Sequence, residues 1–350
     1  MKILVSALEH SANIHLKALI QELDSDTELI GIFDKRLGTP IIDLSDIAIM
    51  GFVDALKKLP FFLKLNKQML NLAKDVDKVL LIDSSGFNLP LAKKIKKQFP
   101  EKEIIYYILP QAWAWKKKRI PVLEQTIDVL ASILPFEQNY YSKNAPIQYV
   151  GHPLLDEIKL YKEAPTHSNK IVFMPGSRPS EIKRMMPIFQ ELQHKLKEEI
   201  ILVIPSHFSK ADINKLYGNI TCFKTTNNAH EALYEADFAF ICSGTATLEA
   251  ALIGIPFVLG YKAKTLDYFI AKNLVKLKYV GLSNNMFMQY KNEPLHPEFL
   301  QEEMTAENLY NAYKDFDRRA FLVKSKVLRQ YLQHGSAKRV ATLIEETHEN

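Results

Sequence analysis

The chain has 350 residues, of which 47% are hydrophobic and 24% are charged, and its formal net charge is +5. This length and apolar content suffice for two globular domains and exclude a disordered chain. No secretory signal pattern and no apolar run approaching the roughly 20 residues that span a bilayer are found, and the clustered lysines suit phosphate or an anionic membrane surface better than nucleic acid.

Short β-rich runs alternate with longer helical patterns along most of the chain. The first series of runs begins at Lys2, Glu28, Lys78, Glu103 and Asp128, and the second begins at Lys170, Glu199, Asn219, Asp237 and Ile255. This alternation is typical of right-handed crossovers that build parallel sheets. The sequence therefore predicts an α/β protein made of two doubly wound halves.

The halves are separated by a polar stretch without helical or alternating period. Residues 160–170 (LYKEAPTHSNK) include Pro165 and are predicted to be the linker. From about Leu300 onward the pattern is helical and highly charged. We therefore predict an N-terminal domain over 1–160, a second domain over 170–315 and C-terminal helices over 316–350.

A strand that ends in a donor-rich turn suggests an anion site in the second half. In MPGSRPSEI, Gly176 allows close backbone approach, Ser177 offers a hydroxyl, and Pro179 opens a helix whose first amides point toward the strand end. Arg178 adds a fork of donors suited to phosphate oxygens. A helix cap beside a solvated arginine is the alternative.

The same arrangement recurs after the strand that begins at Asp237. In SGTATLEA, Ser243, Gly244 and Thr245 form the turn, and Glu249 lies one turn into the next helix, where a carboxylate can accept from ribose hydroxyls. Two strand-end anion sites in one half predict a nucleotide that carries a diphosphate. Taken alone, Glu249 is equally well explained as a surface residue.

The first half carries acids at its strand ends instead. Asp83 directly follows the strand from Lys78 in KVLLIDSSGFNLP, before a helix expected to open at Pro90. A carboxylate at the ligand edge of a sheet can act as a general base, and capping of the next helix is the alternative. Glu9 and His10 lie in the corresponding turn after the first strand, with the same two interpretations.

No pattern in the sequence predicts a metal or a cofactor. The acidic pairs in residues 24–26 and 75–77 precede strands and so belong to the opposite edge of the sheet, and no phosphate loop with Gly-Lys-Ser/Thr, His-Glu-x-x-His or Gly-x-Gly-x-x-Gly occurs. Cys222 and Cys242 both lie in apolar runs, so we expect them in the core rather than in a disulfide.

One amphipathic stretch combines apolar bulk with lysines. Residues 50–70 (MGFVDALKKLPFFLKLNKQML) form a segment whose composition suits a helix lying on an anionic lipid surface. A crossover helix with a core-facing side and a solvated back is the alternative. The candidate membrane- or acceptor-binding residues are Phe52, Leu56, Phe61, Phe62, Leu63 and Lys64.

Taken together, these motifs resemble the lipid-A-disaccharide synthase family, sugar transferases of bacterial outer-membrane lipid assembly. The similar segments occur in the order IAIMGFVDAL, IDSSGFNL, PQAWAWKKKR, LPFEQNYY, YVGHPLLD, MPGSRPSEI, SGTATLEA and GYKAKTLDYFIAKNLVKLKYVGLSN. The tryptophan box at 113–115 with its basic tail, and the final long block, are the most specific of them.

The resemblance implies a GT-B fold, in which two Rossmann-like domains face each other across a cleft, and a metal-independent, inverting reaction. The C-terminal helices would pack back on the N-terminal domain or on a partner in a homodimer. The implied reaction transfers 2,3-diacylglucosamine from its UDP donor to the 6-hydroxyl of 2,3-diacylglucosamine 1-phosphate. The protein would work as a peripheral enzyme on the cytoplasmic face of the inner membrane.

The resemblance also implies roles for individual residues. Asp83 would be the catalytic aspartate, Glu9 the acidic residue of the amino-terminal loop, Arg178 the phosphate-binding arginine and Asn284 an essential asparagine. The remaining residues expected to bind the UDP-sugar are Gly176, Ser177, Ser243, Gly244, Thr245, Glu249 and Tyr261.

The chain departs from the family pattern at two places. The usual first loop, Gly-Glu-x-Ser-Gly-Asp, is replaced by Leu8-Glu9-His10-Ser11-Ala12-Asn13, and the usual second aspartate of the catalytic motif is Gly86. Two other functions would use a similar nucleotide site. One is that of a UDP-N-acetylglucosamine 2-epimerase, and the other is non-catalytic binding of a UDP-sugar or a lipid.

Overall fold

The computed structural model describes residues 1–43, 59–242, 244–263 and 278–346, with the backbone alone for Trp115. The described chain divides into two units. The first comprises Met1–Asp156 and the segment from Leu332 onward, and the second comprises Glu157–Tyr331. Part of the predicted amphipathic stretch, residues 50–58 with Phe52 and Leu56, lies outside the described residues. The predicted site residue Ser243 lies outside them as well.

The first unit is built on a parallel sheet that, among the described residues, has seven strands in the order β3-β2-β1-β4-β5-β6-β7. The strands are β1 (Lys2–Ser6), β2 (Glu28–Phe33), β3 (Ile42–Asp43), β4 (Lys78–Ile82), β5 (Glu103–Tyr107), β6 (Val129–Ser132) and β7 (Ile147–Tyr149). The helices that follow in the chain are α1 (His10–Ile20), α2 (Leu59–Leu72), α3 (Ser85–Gln98), α4 (Ala112–Trp115), α5 (Ile120–Thr126) and α6 (Pro153–Glu157).

Both faces of this sheet are buried, which explains why its strands are almost continuously apolar. Ile3 and Val5 point into the core on one face, together with Leu16 of α1. Leu4 points to the opposite face, where it packs with residues of α2 and α3 such as Leu65. The two-residue alternation therefore divides each strand between two helical layers.

The second unit has a parallel sheet whose described strands follow the order β10-β9-β8-β11-β12-β13. The strands are β8 (Lys170–Met174), β9 (Glu199–Val203), β10 (Lys224–Thr226), β11 (Phe238–Ile241), β12 (Phe257–Tyr261) and β13 (Glu298–Leu300). The helices are α7 (Pro179–Gln193), α8 (Lys210–Tyr217), α9 (Ala229–Glu235), α10 (Ala246–Ile253), α11 (Leu282–Lys291), α12 (Ala306–Lys314) and α13 (Arg318–Leu332).

The strand order defines where each unit can bind a ligand. In the first unit the order reverses between β1 and β4, and in the second between β8 and β11. Ligands of open parallel sheets bind beyond the carboxyl ends of the strands at such reversals. The four chain segments at these places are those after Ser6, Ile82, Met174 and Ile241, which contain most of the site residues predicted from the sequence.

The end of the chain completes the first unit. Helix α14 (Ser336–Glu345) packs Val340 and Ile344 into the same core layer as Ile3 and Val5. The Asp156 carboxylate accepts from the backbone amides of Gly335 at 2.7 Å and of Ser336 at 2.8 Å. A partly buried carboxylate thus satisfies the amides at the start of α14 that have no partner within the helix. The returning segment begins at Leu332, whereas the part of 316–350 before it lies in the second unit.

The prediction of two doubly wound halves is confirmed, but several local predictions were wrong. The run from Asn219 is a turn and not a strand, because the Asn219 carboxamide accepts from both the amide and the hydroxyl of Thr221, and the strand begins only at Lys224. The helix expected at Pro90 opens earlier, at Ser85. Cys222 is exposed rather than buried. The short strands β3, β7 and β13 were not predicted.

Gly31 is a position in β2 where only glycine fits. It has a φ of 134°, and a Cβ built there would lie 2.1 Å from the carbonyl oxygen of Val5 on the paired strand. We therefore expect Gly31→Ala to destabilise the protein by about 2–4 kcal/mol, since neither the backbone conformation nor the neighbouring strand can yield. Urea denaturation measures the effect. Gly86→Ala is the matched control, because a Cβ there meets nothing within 4 Å; equal losses for the two variants would contradict this account.

Candidate active site

The turn after β4 has an unusual backbone. Asp83 and Ser84 follow each other with φ values of 52° and 43°, in the left-handed region that residues with a Cβ rarely adopt. Each such residue costs about 1–3 kcal/mol and persists only where the surrounding structure enforces it. Two in succession at the ligand edge of the sheet make this turn the strongest candidate for a functional site in the first unit.

Hydrogen bonds from Asn88 and Tyr106 hold the turn in this conformation. The Asn88 amide nitrogen donates to the carbonyl oxygens of Ile82 at 3.2 Å and Asp83 at 2.8 Å, and its oxygen accepts from the Ser6 hydroxyl at 2.6 Å. The Tyr106 hydroxyl donates to the same Asp83 carbonyl at 2.6 Å. Asn88 is fully buried, so these bonds are shielded from competition with water.

The Asp83 side chain is half-buried and does not cap the following helix. Its Oδ1 accepts from the neighbouring Ser84 amide at 2.7 Å, and the residue at the N-cap position, Ser84, makes no side-chain cap bond. Burial raises the pKa of the Asp83 carboxyl, against the opposing effects of the Ser84 amide and the charge of His15. A raised pKa makes the carboxylate a stronger proton acceptor than an ordinary aspartate.

The first loop meets the Asp83 turn through Glu9. Its Oε1 accepts from the Ser84 hydroxyl at 3.0 Å. Asn13 holds the loop itself, because its amide donates to the carbonyl oxygens of Ala7 and Glu9, both at 2.8 Å. The altered loop 8–13 is thus fixed by a side chain rather than by glycines. His10 is exposed at the first position of α1.

Arg119 also lies at this turn, although the sequence did not single it out. Its Nη1 donates to the Ser85 hydroxyl at 2.9 Å. The loop that carries it is anchored by Trp113, which is buried and packs edge-on against Phe136 with the ring centroids 5.0 Å apart. The basic tail of the tryptophan box therefore ends beside the candidate base.

The second unit contains a cavity of about 380 Å³ at its strand reversal. The residues after β8 and β11 line it, including Gly176, Ser177, Arg178, Gly244 and Thr245. The structure thus gathers five of the predicted UDP-sugar residues around one cavity. Helix α7, which is 15 residues long, begins there at Pro179, so the positive end of its dipole lies at the cavity.

Arg178 is held in this cavity by Glu181. The buried Glu181 carboxylate accepts from the Arg178 guanidinium at 3.0 Å and from its backbone amide at 3.4 Å. Gly176 is required beside it, because its φ is 110° and a Cβ there would lie 2.8 Å from Glu181 Oε2. The Arg178 side chain is 77% exposed, so most of its donors face outward and can bind an anion.

Glu249 and Tyr261 belong to the same unit but have partners of their own. The Glu249 carboxylate lies 3.6 Å from Nε2 of His230 on α9, and this neighbouring carboxylate raises the pKa of His230. Burial raises the pKa of Tyr261, with a contribution from the charge of Glu181 and an opposing one from Arg178. Tyr261 therefore lies within electrostatic reach of the pair that forms the cavity wall.

Asn284 is completely buried, and its carboxamide is fully used inside the protein. Its nitrogen donates to the His296 carbonyl at 3.0 Å and to Glu298 at 2.7 Å, and its oxygen accepts from the amides of Leu295 and His296. Glu298 in turn accepts from the amide of Gly281 at 3.0 Å. This arrangement fits a residue that positions the start of α11 better than one that contacts a ligand directly.

The amphipathic stretch forms α2, and its apolar residues divide between two surroundings. Phe61 and Phe62 are partly buried and pack against the core of the first unit, with Phe62 and Phe87 ring centroids 6.2 Å apart. Leu63 is 54% exposed and Leu59 is 55% exposed, and Lys64 is exposed beside them. Within the described ranges, none of the helices combines the length and apolarity that crossing a bilayer requires.

Asn88, Tyr106, Arg119 and Glu181 are the main site residues that the sequence analysis did not assign. Asn88 and Glu181 each lie a few residues after a strand-end turn, in the same motif as Asp83 or Arg178, so a helical spacing within the motif could have suggested them. Tyr106 and Arg119 come from other segments. Only the tertiary structure brings them to the turn.

Comparison with known sequences gives matches that span nearly the whole chain. The family model described as lipid-A-disaccharide synthetase matches residues 3–348. The lipid-A-disaccharide synthase of Helicobacter pylori (strain ATCC 700392 / 26695) is 51% identical over 352 residues, which cover 97% of this chain and 96% of that protein.

Solved structures with low sequence identity share the fold. CalG4, the calicheamicin glycosyltransferase, matches with a TM-score of 0.62 and 12% identity over 98% of this chain and 97% of its own. A putative UDP-N-acetylglucosamine 2-epimerase from Listeria monocytogenes matches with a TM-score of 0.59 and 14% identity over 98% and 95%. The two parallel sheets with helices on them are therefore those of the GT-B fold.

The raised pKa of Asp83 predicts a stability difference that depends on pH. Near pH 7.5 the carboxylate is charged, and burial disfavours that form in the folded state, so the neutral Asp83→Asn variant should unfold at a higher temperature than the wild type. As the pH falls through the raised pKa and then the unfolded-state pKa, the wild-type carboxyl becomes neutral in both states and the difference should vanish. Thermal unfolding between pH 3.5 and 7.5 measures it.

The control for this measurement is Asp26→Asn, which neutralises an exposed carboxylate on the same unit and should shift the unfolding temperature little at any pH. A difference between wild type and Asp83→Asn that is the same at every pH would show that the charge of Asp83 is not responsible.

Proposed function

The chain belongs to the lipid-A-disaccharide synthase family, and from that premise we propose that it transfers 2,3-diacylglucosamine from UDP-2,3-diacylglucosamine to the 6-hydroxyl of 2,3-diacylglucosamine 1-phosphate. The products are UDP and the β-1,6-linked disaccharide 1-phosphate. Because the members of this family are glycosyltransferases, the chain is one as well. The assignment rests on the family match over residues 3–348. The two lipid substrates are its proposed partners.

The second unit is proposed to hold the donor through its diphosphate. Arg178 supplies outward-facing donors, and the start of α7 places the positive end of the helix dipole at the same cavity. Ser177 and Thr245 add hydroxyls, and Glu249 is proposed to accept from the ribose. Fixed donors of this kind stabilise the negative charge that develops on a departing phosphate, and the loss of one typically costs about a hundredfold to a thousandfold in rate.

The first unit is proposed to supply the general base. The Asp83 carboxylate takes the proton of the acceptor 6-hydroxyl while the oxygen forms a bond to C1 of the donor sugar. The bond from C1 to the diphosphate oxygen breaks on the opposite face, and UDP leaves with the electron pair, so the configuration at C1 is inverted. Glu9 acts as a positioning residue here, because its contact with Ser84 supports the turn that presents Asp83.

The burial of Asp83 and the conformation of its turn both suit it to the role of general base. Burial raises the pKa of its carboxyl, which strengthens its affinity for the acceptor proton, and the left-handed turn fixes its position. Asn284 is proposed to act indirectly, by holding Glu298 and the start of α11, since its own donors and acceptors are already occupied.

The proposed reaction is tested by mass spectrometry after purified protein is mixed with the diacylated donor and acceptor. The wild type should yield the disaccharide 1-phosphate and UDP. Asp83→Asn should lower kcat about a hundredfold to ten-thousandfold, the range of general-base contributions, with little change in the KM for the donor. Arg178→Ala should instead impair use of the donor.

Asp128→Asn provides a matched control, because it removes an aspartate of the same unit that pairs with Lys96, away from the β4 turn. Near-normal turnover in Asp83→Asn would refute the role of Asp83. Conversion of UDP-N-acetylglucosamine alone into a product with the manno configuration, without an acceptor, would favour the epimerase function, and binding without any product would favour a non-catalytic function.

A peripheral position on the anionic inner-membrane surface is the proposed location. Its support is the outer side of α2, where Leu59 and Leu63 are more than half exposed beside Lys64 and Lys67. Apolar side chains flanked by lysines match the interface of an anionic bilayer, where each basic residue near the surface contributes about 1 kcal/mol.

The double variant Leu59→Ser/Leu63→Ser should release the protein from vesicles that contain anionic lipid, while its thermal stability stays near that of the wild type because both side chains are exposed. Sedimentation with vesicles measures binding. Phe61→Ser/Phe62→Ser is a contrasting variant that should lower stability as well, since both rings pack against the core. Unchanged sedimentation of the leucine variant would exclude α2 as the membrane contact.

A homodimer remains a prediction from the resemblance. Helix α14 packs into the core of the first unit of its own chain, beside Ile3 and Val5. An exchanged C-terminal segment is therefore not needed to complete that unit.

A further inference from the structure

Arg119 is a cation at the Asp83 turn to which the proposed mechanism assigns no role. It is half-buried, and in the described part of the chain the one hydrogen bond of its side chain is the donation to Ser85 Oγ at 2.9 Å. Among the described residues no carboxylate forms an ion pair with it. A guanidinium that is anchored at one nitrogen and keeps its other donors unused is preorganised to bind an anion.

The position of Arg119 relative to the candidate base follows from shared neighbours. Ser85 is two residues from Asp83 and directly continues the left-handed turn. Tyr106 donates to the Asp83 carbonyl, and the charge of Arg119 acts on that same phenol, opposing the rise in the Tyr106 pKa that burial causes. Arg119 and Asp83 therefore belong to one site rather than to two.

There is charge and space for a ligand at this place. Lys117 and Lys118 are exposed next to Arg119, and Lys117 lies over the ring of Tyr140 with its Nζ 5.7 Å from the centroid. A Cβ built on Gly86, on the other side of Ser85, meets no described atom within 4 Å. The site thus offers an anchored guanidinium, two exposed ammonium groups and open space beside Gly86.

We propose that Arg119, held by Ser85, is the binding residue for a phosphate monoester on the acceptor, and that it selects a phosphorylated acceptor over its dephosphorylated counterpart. This inference rests on the proposed function. If Asp83 takes the proton of the acceptor hydroxyl, the acceptor sugar lies at this turn, and its 1-phosphate is attached to the same ring. A forked guanidinium matches two phosphate oxygens, whereas a neutral hydroxyl at that position would leave the cation without a counterion.

The donor diphosphate is the other source of phosphate in the reaction. Arg178 and the positive end of the α7 dipole are the diphosphate site proposed above on the second unit. We therefore assign Arg119 to the acceptor. The two possible ligands, acceptor phosphate and donor diphosphate, predict different effects of substituting Arg119. A subsite for the acceptor changes acceptor binding alone, whereas a subsite for the donor changes the KM for the UDP-sugar.

The test uses the full-length protein with two acceptors in detergent, 2,3-diacylglucosamine 1-phosphate and 2,3-diacylglucosamine. Equilibrium titration gives the affinity of each for the wild type, Arg119→Ala, Arg119→Lys and the control Lys97→Ala, which removes an exposed cation near the end of α3. We expect Arg119→Ala to weaken binding of the phosphorylated acceptor about tenfold to a hundredfold, the range for bonds to charged groups. Binding of the dephosphorylated acceptor should stay the same.

The conservative variant and the control sharpen this expectation. Arg119→Lys should retain part of the preference for phosphate, because it keeps the charge but loses the fork, and Lys97→Ala should retain all of it. Thermal unfolding of each variant shows whether the fold is intact. If Arg119→Ala misfolds, the comparison of Arg119→Lys with wild type decides by the same ratio of affinities.

An unchanged preference for the phosphorylated acceptor in a folded Arg119 variant would overturn the proposal, as would a rise in the KM for the donor with acceptor affinity unchanged. A failure of the proposed function is distinguishable from both. In that case the wild type gives no disaccharide product, while the titration still shows whether Arg119 confers a preference for phosphate.

Discussion

The buried Asn88 carboxamide is the interaction on which the candidate active site depends. It joins the ends of β1 and β4 through Ser6 Oγ and the carbonyl oxygens of Ile82 and Asp83. Without it, the two successive non-glycine residues in the left-handed region would lose two of the hydrogen bonds that hold them there, and Tyr106 would supply the remaining side-chain bond to the Asp83 carbonyl. The orientation of the Asp83 carboxylate, the Ser84 contact with Glu9 and the Ser85 contact with Arg119 all follow from that turn.

Charge is distributed differently at the two ligand edges. At the first, a carboxyl whose pKa is raised by burial lies near a guanidinium without a carboxylate partner among the described residues. At the second, a buried glutamate holds an arginine by its backbone and its guanidinium, and this arginine is largely exposed. A base that must accept a proton benefits from partial desolvation, whereas a cation that must bind phosphate benefits from being fixed but accessible. Each unit thus provides the surroundings that its proposed substrate requires.

The sequence predicted the two sheets, most strands and the turns that follow them, because each of these features is encoded locally by apolar periodicity and by glycine, proline and polar residues at strand ends. It could not predict β3, β7 and β13, which have two or three residues and carry too little periodic pattern. The sequence pattern also predicted a strand from Asn219, where the Asn219 side chain instead stabilises a turn. Arg119 and Tyr106 were missed because their roles depend on contacts with residues 34 and 23 positions away.

The discontinuity of the first unit affects how the protein is made. Its core includes Val340 and Ile344, which the ribosome adds after the whole second unit. During translation, the layer formed by Ile3, Val5 and Leu80 lacks its final covering helix, so the unit synthesised first is completed after the one synthesised second. Removal of the segment that forms α14 would consequently harm the amino-terminal half, which carries the candidate base, while leaving the described elements of the second unit in place.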